Sequence, residues 1–162
     1  MTIRPAVEAD VPLIIELAQR IWRACYPEII SPEQIEFMLG WMYSEEEIRR
    51  QIAAGVPWKI AELNGSAIGY LSYQREDNGR VKISKLYVLR DHQRLGLGQE
   101  MLTYIFEQAQ MLGAPTVWLQ VNKRNAGAIG AYRKAGFKII DEAAFDIGGG
   151  FVMDDYLMAR AM

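Results

Sequence analysis

A chain of 162 residues suits one domain with a substantial core, and 51% hydrophobic with 23% charged residues excludes a disordered chain. A net charge of -2 gives no general attraction to nucleic acid, and no apolar run is long enough to span a bilayer. Cys25 is the only cysteine and His92 the only histidine, so an intramolecular disulfide, a thiolate metal cluster and a two-histidine metal site are excluded. Met1–Pro5 lacks the apolar stretch of a signal peptide, and a cytosolic, metal-free protein is the default expectation.

Thr2–Ala6 reads as an opening strand. Asp10 is a suitable N-cap for a helix with Pro12 in its first turn and an apolar stripe from Leu13 to Cys25. That stripe places Cys25 as a small core residue rather than a nucleophile. Pro27 breaks the helix at Tyr26, because proline disfavours helical backbone in the residue before it. Ser31 opens a second helix through Met42, and Ser44-Glu45-Glu46-Glu47 is a capping box for a third that ends at Ala54-Gly55.

The period then changes from helical to alternating. Trp58–Leu63 and Ser66–Tyr73 flank Asn64-Gly65, a hairpin signal, and Asn78-Gly79 turns the chain into the strand Val81–Leu89. A helix follows with Met101, Leu102, Ile105, Phe106 and Ala109 at helical spacing, then a buried strand Thr116–Val121. Asn125 caps a helix to about Ala135 that Gly136 ends. Phe137–Ile140 and Phe151–Ala159 read as closing strands on either side of Gly148-Gly149-Gly150. No repeat or linker interrupts the chain, and the expectation is a single α/β domain over residues 1–162.

Between the strand Val81–Leu89 and its helix stands Gln93-Arg94-Leu95-Gly96-Leu97-Gly98. A glycine-bearing turn at a helix start presents unpaired N–H groups and the positive end of the helix dipole, which favours an anion such as a phosphate. A nucleotide P-loop is excluded, because Gln99-Glu100 rather than Lys-Ser/Thr follows Gly98. A dinucleotide fingerprint is excluded, because Met101 stands where its third glycine belongs.

One strand later the chain reads Asn125, Ala128, Tyr132, Gly136, Phe137. Ala128 and Tyr132 are four apart and share a helix face. Asn-x-x-Ala-x-x-x-Tyr-x-x-x-Gly-Phe after a Gln-x-x-Gly-x-Gly helix start resembles the GCN5-related N-acetyltransferases, from about Ile60 to the end of the chain. That resemblance implies an α/β (α+β) fold whose mixed, mostly antiparallel sheet has about six or seven strands, helices on both faces and splayed central strands. It implies acetyl-CoA as co-substrate, no metal, and direct attack of a primary amine on the thioester.

It also implies site residues. Backbone amides from Arg94 through Leu95, Gly96, Leu97, Gly98 and Gln99 would hold the pyrophosphate, with the Arg94 side chain adding charge. Leu86, Tyr87 and Val88 would pair with the pantetheine as an added strand, Asn125 would lie near that arm, and Lys134 would approach the phosphates. The Val88 N–H matches the oxyanion donor and Tyr132 the acid that protonates the departing thiolate. The alternative for Tyr132 is simple packing on the sheet. Two positions depart from the pattern. Arg90 stands where a proline often follows the pantetheine strand, and Leu95 where many members carry a basic or small residue.

The base is left open among Glu28, Tyr73, Asp154, Asp155 and a water chain. Tyr26–Leu39 and Trp41–Ser44 resemble, more loosely, the N-terminal region of PaiA-like polyamine acetyltransferases, which implies a small amine acceptor. Glu28, Glu33, Glu36, Glu45, Glu46 and Glu47 would suit a polycation, and Trp22, Tyr26, Trp41 and Tyr43 would line a slot. The same residues also read as solvated helix faces and core aromatics. Acetylation of a protein α-amine or lysine, and a non-catalytic acyl-CoA-binding module, are the competing functions; neither a nucleic-acid nor a membrane partner is expected. Dimerisation is common in the resembled family, and Phe151–Ala159 is the expected edge for a homodimer.

Overall fold

The computed structural model describes residues Met1–Met162 as a mixed α/β protein. In chain order the elements are β1 (Thr2–Pro5), α1 (Val11–Cys25), α2 (Pro32–Met42), α3 (Glu45–Ala53), β2 (Trp58–Leu63), β3 (Ser66–Arg75), β4 (Val81–Val88), α4 (Leu97–Met111), β5 (Thr116–Asn122), α5 (Ala126–Lys134), β6 (Lys138–Gly148) and β7 (Phe151–Ala161). The seven strands form one open, mostly antiparallel sheet in the order β1-β2-β3-β4-β5-β7-β6. The β4–β5 pair is parallel, joining Val81–Ile83 to Val117–Leu119, and α4 is the crossover that a parallel pair requires.

The chain packs as two compact units, Met1–Tyr73 with Lys85–Met101, and Gln74–Ser84 with Leu102–Met162. In the first, α1 buries Val11, Ile14, Leu17, Ala18, Ile21 and Trp22, the stripe its spacing dictates. Asp10 ends the turn before α1 differently from the expected cap. Its carboxylate accepts from the Val7 N–H at 2.8 Å and holds Arg4 at 2.9 Å, which itself reaches Glu62 at 2.6 Å and ties β1 to β2. Ser31 and Ser44 do cap α2 and α3, each hydroxyl accepting at 3.1 Å from the third amide of its helix. Asn64 and Gly65 both adopt positive φ, 53° and 79°, as a two-residue hairpin turn demands.

In the second unit, Val117, Leu119 and Met158 are buried, and Phe137 packs against Phe106 at 5.8 Å and Tyr132 at 5.7 Å. Trp118 is directly opposite Lys82 across the parallel ladder, with its indole N–H donating to Glu76 at 2.6 Å.

Two sequence expectations need correction here. β6 runs to Gly148 rather than stopping at Ile140, although Asp141-Glu142-Ala143-Ala144 has little intrinsic strand preference. Pairing with β7 over most of its length overrides that preference, at the cost of irregularities near Ile139–Asp141 and Asp146–Gly148. In turn, Phe151–Ala159 is not an edge. β7 is hydrogen-bonded to β5 on one side and to β6 on the other, so its backbone groups are already committed and the free edge belongs to β6.

Candidate active site

Local geometry at Gln93–Gly98 is that of an anion cradle. Arg94 has φ 66° and Gly96 φ 80°, two left-handed residues separated by one ordinary residue, an alternation that turns successive N–H groups to one side. The first main-chain bond of α4 is Glu100 N–H to the Gly96 carbonyl at 3.1 Å, so the amides of Leu97 and Gly98 lie ahead of the helical ladder. A Cβ on Gly96 or Gly98 would meet nothing within 4 Å. Gly98 has ordinary φ and open space above it, so the fold does not itself require glycine there, and its backbone is open to the close approach of a ligand. The residues present therefore fit a phosphate group.

The loop is held by its own side chains. Gln93 donates to the Val88 carbonyl at 3.1 Å and lies 3.4 Å from Cys25 Sγ, while Arg90 donates to the Ala24 carbonyl at 3.0 Å. These bonds tie the end of β4 and the loop to the C-terminus of α1, where orphan carbonyls favour a cation. Arg90, which departs from the usual proline, thus has a structural task. Leu95 is 62% exposed.

Tyr87 and Val88 stand beside a close backbone approach. Gly69 faces the Tyr87 carbonyl with no room for a Cβ between them, and the Leu89 N–H donates to the Ile68 carbonyl at 2.8 Å. Leu86 and Tyr87 are half-buried and Val88 is buried.

The aromatic residues form a closed cluster. Trp22 stacks on Tyr26 at 4.2 Å, and Tyr70 donates its hydroxyl hydrogen to Tyr43 at 2.7 Å. Burial pushes both of these phenols well above their ordinary pKa and keeps them neutral. Lys85, only 8% exposed, sets its ammonium 5.2 Å from the Trp58 ring centre and 5.6 Å from Tyr43. The cation seat made by these rings is filled by the chain itself. Trp22 and Tyr43 are therefore core rather than slot, Trp41 lies out in solvent at 51% exposure, and the half-buried Tyr26, its hydroxyl 3.4 Å from that of Tyr87, forms the accessible rim. Lys85 falls outside the motif residues, and its alternation with the inward Val81 and Ile83 is the signal in the chain that marks the position.

Three of the six glutamates are neutralised within the chain. Glu36 pairs with Arg23 at 2.7 Å, Glu45 with Arg49 at 2.7 Å and Glu47 with Arg50 at 2.5 Å. Hydrogen bonds from Arg50 and Gln51 hold the Glu47 carboxyl down at about 2. The field available to a polycation is correspondingly smaller.

In the second unit, the Asn125 side-chain oxygen caps α5 by accepting from the Ala128 N–H at 3.3 Å, leaving its amide NH2 free of that duty. Tyr132 is half-buried and Lys134 is exposed in the last turn of α5. Asp154 is exposed and pairs with Lys123 at 3.1 Å, whereas Asp155 is buried. Glu28 is exposed and Tyr73 buried. No group of three or more His, Cys, Asp and Glu side chains is arranged to hold a metal ion, and no helix is long and apolar enough to cross a membrane.

A strand, a glycine turn with amides ahead of the helical ladder and a crossover helix in a mixed sheet suit a protein that binds a phosphate-bearing ligand, and comparison with known proteins specifies the class. The sequence matches the Acetyltransferase (GNAT) family over residues 14–137. It is 29% identical over 160 residues to an uncharacterised N-acetyltransferase of Mycobacterium tuberculosis (strain ATCC 25618 / H37Rv), covering 94% of this chain and 98% of that one. Over 103 residues it is 31% identical to the ribosomal protein bS18 alanine N-acetyltransferase of Escherichia coli K12, covering 54% of this chain and 68% of the relative. Its fold matches that of the PaiA N-acetyltransferase from Thermoplasma acidophilum, solved in complex with coenzyme A, with TM-score 0.85, 22% identity and full coverage of both chains. The chain belongs to the GNAT family. It is an acetyl-CoA-dependent N-acetyltransferase.

Proposed function

We propose that residues 1–162 form one N-acetyltransferase domain that passes acetyl directly from acetyl-CoA to a primary amine, with a small amine such as a polyamine as acceptor. The observation that carries the donor half is the Arg94–Gly98 cradle, with left-handed φ at Arg94 and Gly96 and open space at Gly96 and Gly98. There the amides of Arg94 through Gln99 and the Arg94 guanidinium would take the pyrophosphate, with Lys134 a further contact to the phosphates. Leu86, Tyr87 and Val88 would pair with the pantetheine arm. This role is supported by the parallel ladder, which ends at Ile83 while β4 continues to Val88. The Asn125 amide would donate to the same arm.

The chemistry sets two further requirements. An alkyl ammonium, with a pKa of ~10.4, must lose a proton before its lone pair attacks the thioester carbon. The oxygen of the tetrahedral intermediate needs a donor, the role of the Val88 N–H. The departing thiolate, with a pKa near ~8.5, leaves more easily when a hydroxyl protonates it. Tyr132 takes that role. Binding alone does not call for a phenol there, which weighs against a module that holds acyl-CoA without turnover.

Two observations support the small amine: the Tyr26–Ser44 segment resembles PaiA-like enzymes, and one of the fold matches over the whole chain, with TM-score 0.85 against 0.71 for a ribosomal-protein-alanine N-acetyltransferase of equal coverage, is to a protein named PaiA. The second reading, acetylation of a peptide α-amine, is favoured by the 31% identity to the bS18 alanine acetyltransferase. Thiol release from acetyl-CoA, followed with spermidine, free amino acids and an alanyl-terminated peptide, separates the two. Turnover with spermidine is expected, and turnover confined to the peptide would overturn the polyamine assignment.

A further inference from the structure

We propose that Asp155 is the general base that removes the proton from the acceptor ammonium. The inference rests on the N-acetyltransferase reading above and adds a residue whose role that reading leaves open. Asp155 is 1% exposed, and its Oδ2 has no hydrogen-bond partner. A buried carboxylate oxygen without a protein donor is costly, and a proton-transfer role is one physical reason for a fold to keep it.

Its position is defined by register. Asp155 lies opposite Asn122, the last residue of β5, immediately before the turn that leads into α5 and Tyr132. Residues 118, 120 and 122 of β5 share one face. Lys82 stands on that face too, opposite Trp118 with its ammonium 5.0 Å from the ring centre. Arg160, opposite Val117, is on the other face, and its guanidinium lies 4.0 Å from the Phe106 ring, in the layer where Phe106, Phe137 and Tyr132 follow one another. Asp155 and Tyr132 thus belong to opposite sides of the second unit's sheet. Two groups approaching from different directions suit the two proton transfers, one at the entering nitrogen and one at the departing sulfur.

The charged groups around Asp155 are few. Asp154, its neighbour on β7, is held by Lys123, which also binds Glu142 on β6; Lys82 on β4 is the nearby cation, with Glu76 beside it. Burial first, and Asp154 second, raise Asp155 from 3.8 to about 6, while Lys82 keeps it from rising further. A stronger base than a free aspartate, it remains ionised near neutral pH.

The step balances as follows. The ammonium gives one proton to the Asp155 carboxylate, the N–C bond forms, and the C–S bond breaks with its electron pair on sulfur. Tyr132 protonates that sulfur and recovers the second nitrogen proton, and Asp155 releases its own to solvent. One amide, one thiol and one proton result.

The test measures kcat/KM against pH for the whole chain with spermidine and the alanyl peptide as probes. Wild type is expected to lose rate below about pH 6. Asp155→Asn is expected to stay folded, to lose about 10²–10⁴-fold in rate, to lack that acid limb, and to regain rate tenfold per pH unit as free amine accumulates. Lys82→Met is expected to move the limb upward. A rate lowered by one factor at every pH assigns Asp155 to positioning and overturns the proposal, as does an unchanged profile. Should Asp155→Asn not fold, an unmoved limb in Lys82→Met overturns it as well. Turnover of neither probe by the wild type overturns the parent reading instead.

Discussion

The Cβ that Gly69 lacks would collide with the carbonyl oxygen of Tyr87 and lie 3.2 Å from the Cα of Val88. The backbone of β3 is therefore pressed against the part of β4 assigned to the pantetheine and the oxyanion. Gly69→Ala must push that strand aside, because backbone rather than a flexible side chain is in the way. Overpacking of this kind costs about 1–3 kcal/mol. Thermal denaturation should show the loss, and the Kd for acetyl-CoA by calorimetry should rise together with a fall in kcat. A variant that melts lower but binds and turns over normally would separate this contact from the site.

Arg94 offers the opposite test. A non-glycine residue at φ 66° carries a left-handed penalty of about 1 kcal/mol, which glycine removes at a comparable entropic cost. Arg94→Gly should leave the melting temperature nearly unchanged. Coenzyme affinity should fall about 10–10²-fold, since a hydrogen bond to a charged group is worth roughly 1.5–3 kcal/mol. The deficit should be the same for a desulfo analogue as for acetyl-CoA, and should shrink for a pantetheine fragment without phosphates.

Tyr132→Phe keeps the ring that packs edge-on against Phe137 and removes only the hydroxyl. Coenzyme affinity should hold, while kcat falls on the order of 10²-fold. Unchanged turnover would return Tyr132 to a packing role.

Stability against pH gives an independent reading of Asp155. Its folded pKa, about 6, stands above the ordinary 3.8, so between those values the folded state holds more protons than the unfolded one. Stability contributed by this group is then fully present below about pH 4 and lost as pH rises through 6. With 1.36 kcal/mol per pH unit the loss approaches about 3 kcal/mol. Asp155→Asn should therefore be more stable than wild type at pH 7–8 and equal to it near pH 4, as denaturant titration would measure. Glu47, held at about 2 by Arg50, has the reverse sign, and its contribution fades as pH falls from 4.5 toward 2. Its partial exposure keeps that contribution small.

Much of this was legible from the chain because the signals are local. Ser31, Ser44 and Asn125 cap the helices they precede, Asn64-Gly65 makes its turn, and Gly96 before α4 takes a left-handed φ, whereas the left-handed φ of Arg94 was not legible from a Gly-x-Gly spacing whose second glycine, Gly98, keeps an ordinary φ. The length of β6 was not legible, because Asp141-Glu142-Ala143-Ala144 becomes strand only by pairing with β7, residues that arrive later in the sequence. Nor was the fate of the aromatics. Trp22, Tyr43 and Trp58 come from three separate stretches of the chain, and only their packing shows that Lys85 already occupies the space between two of them.

The same division holds for the chemistry. Sequence alone pointed to the donor half, because the turn proposed to hold phosphate is one short stretch of backbone whose glycines are neighbours. Asp154 and Asp155 are indistinguishable as adjacent letters. Tertiary structure alone decided between them, since the strand's alternation exposes one to Lys123 and water and buries the other near Lys82, where loss of solvent raises its affinity for a proton.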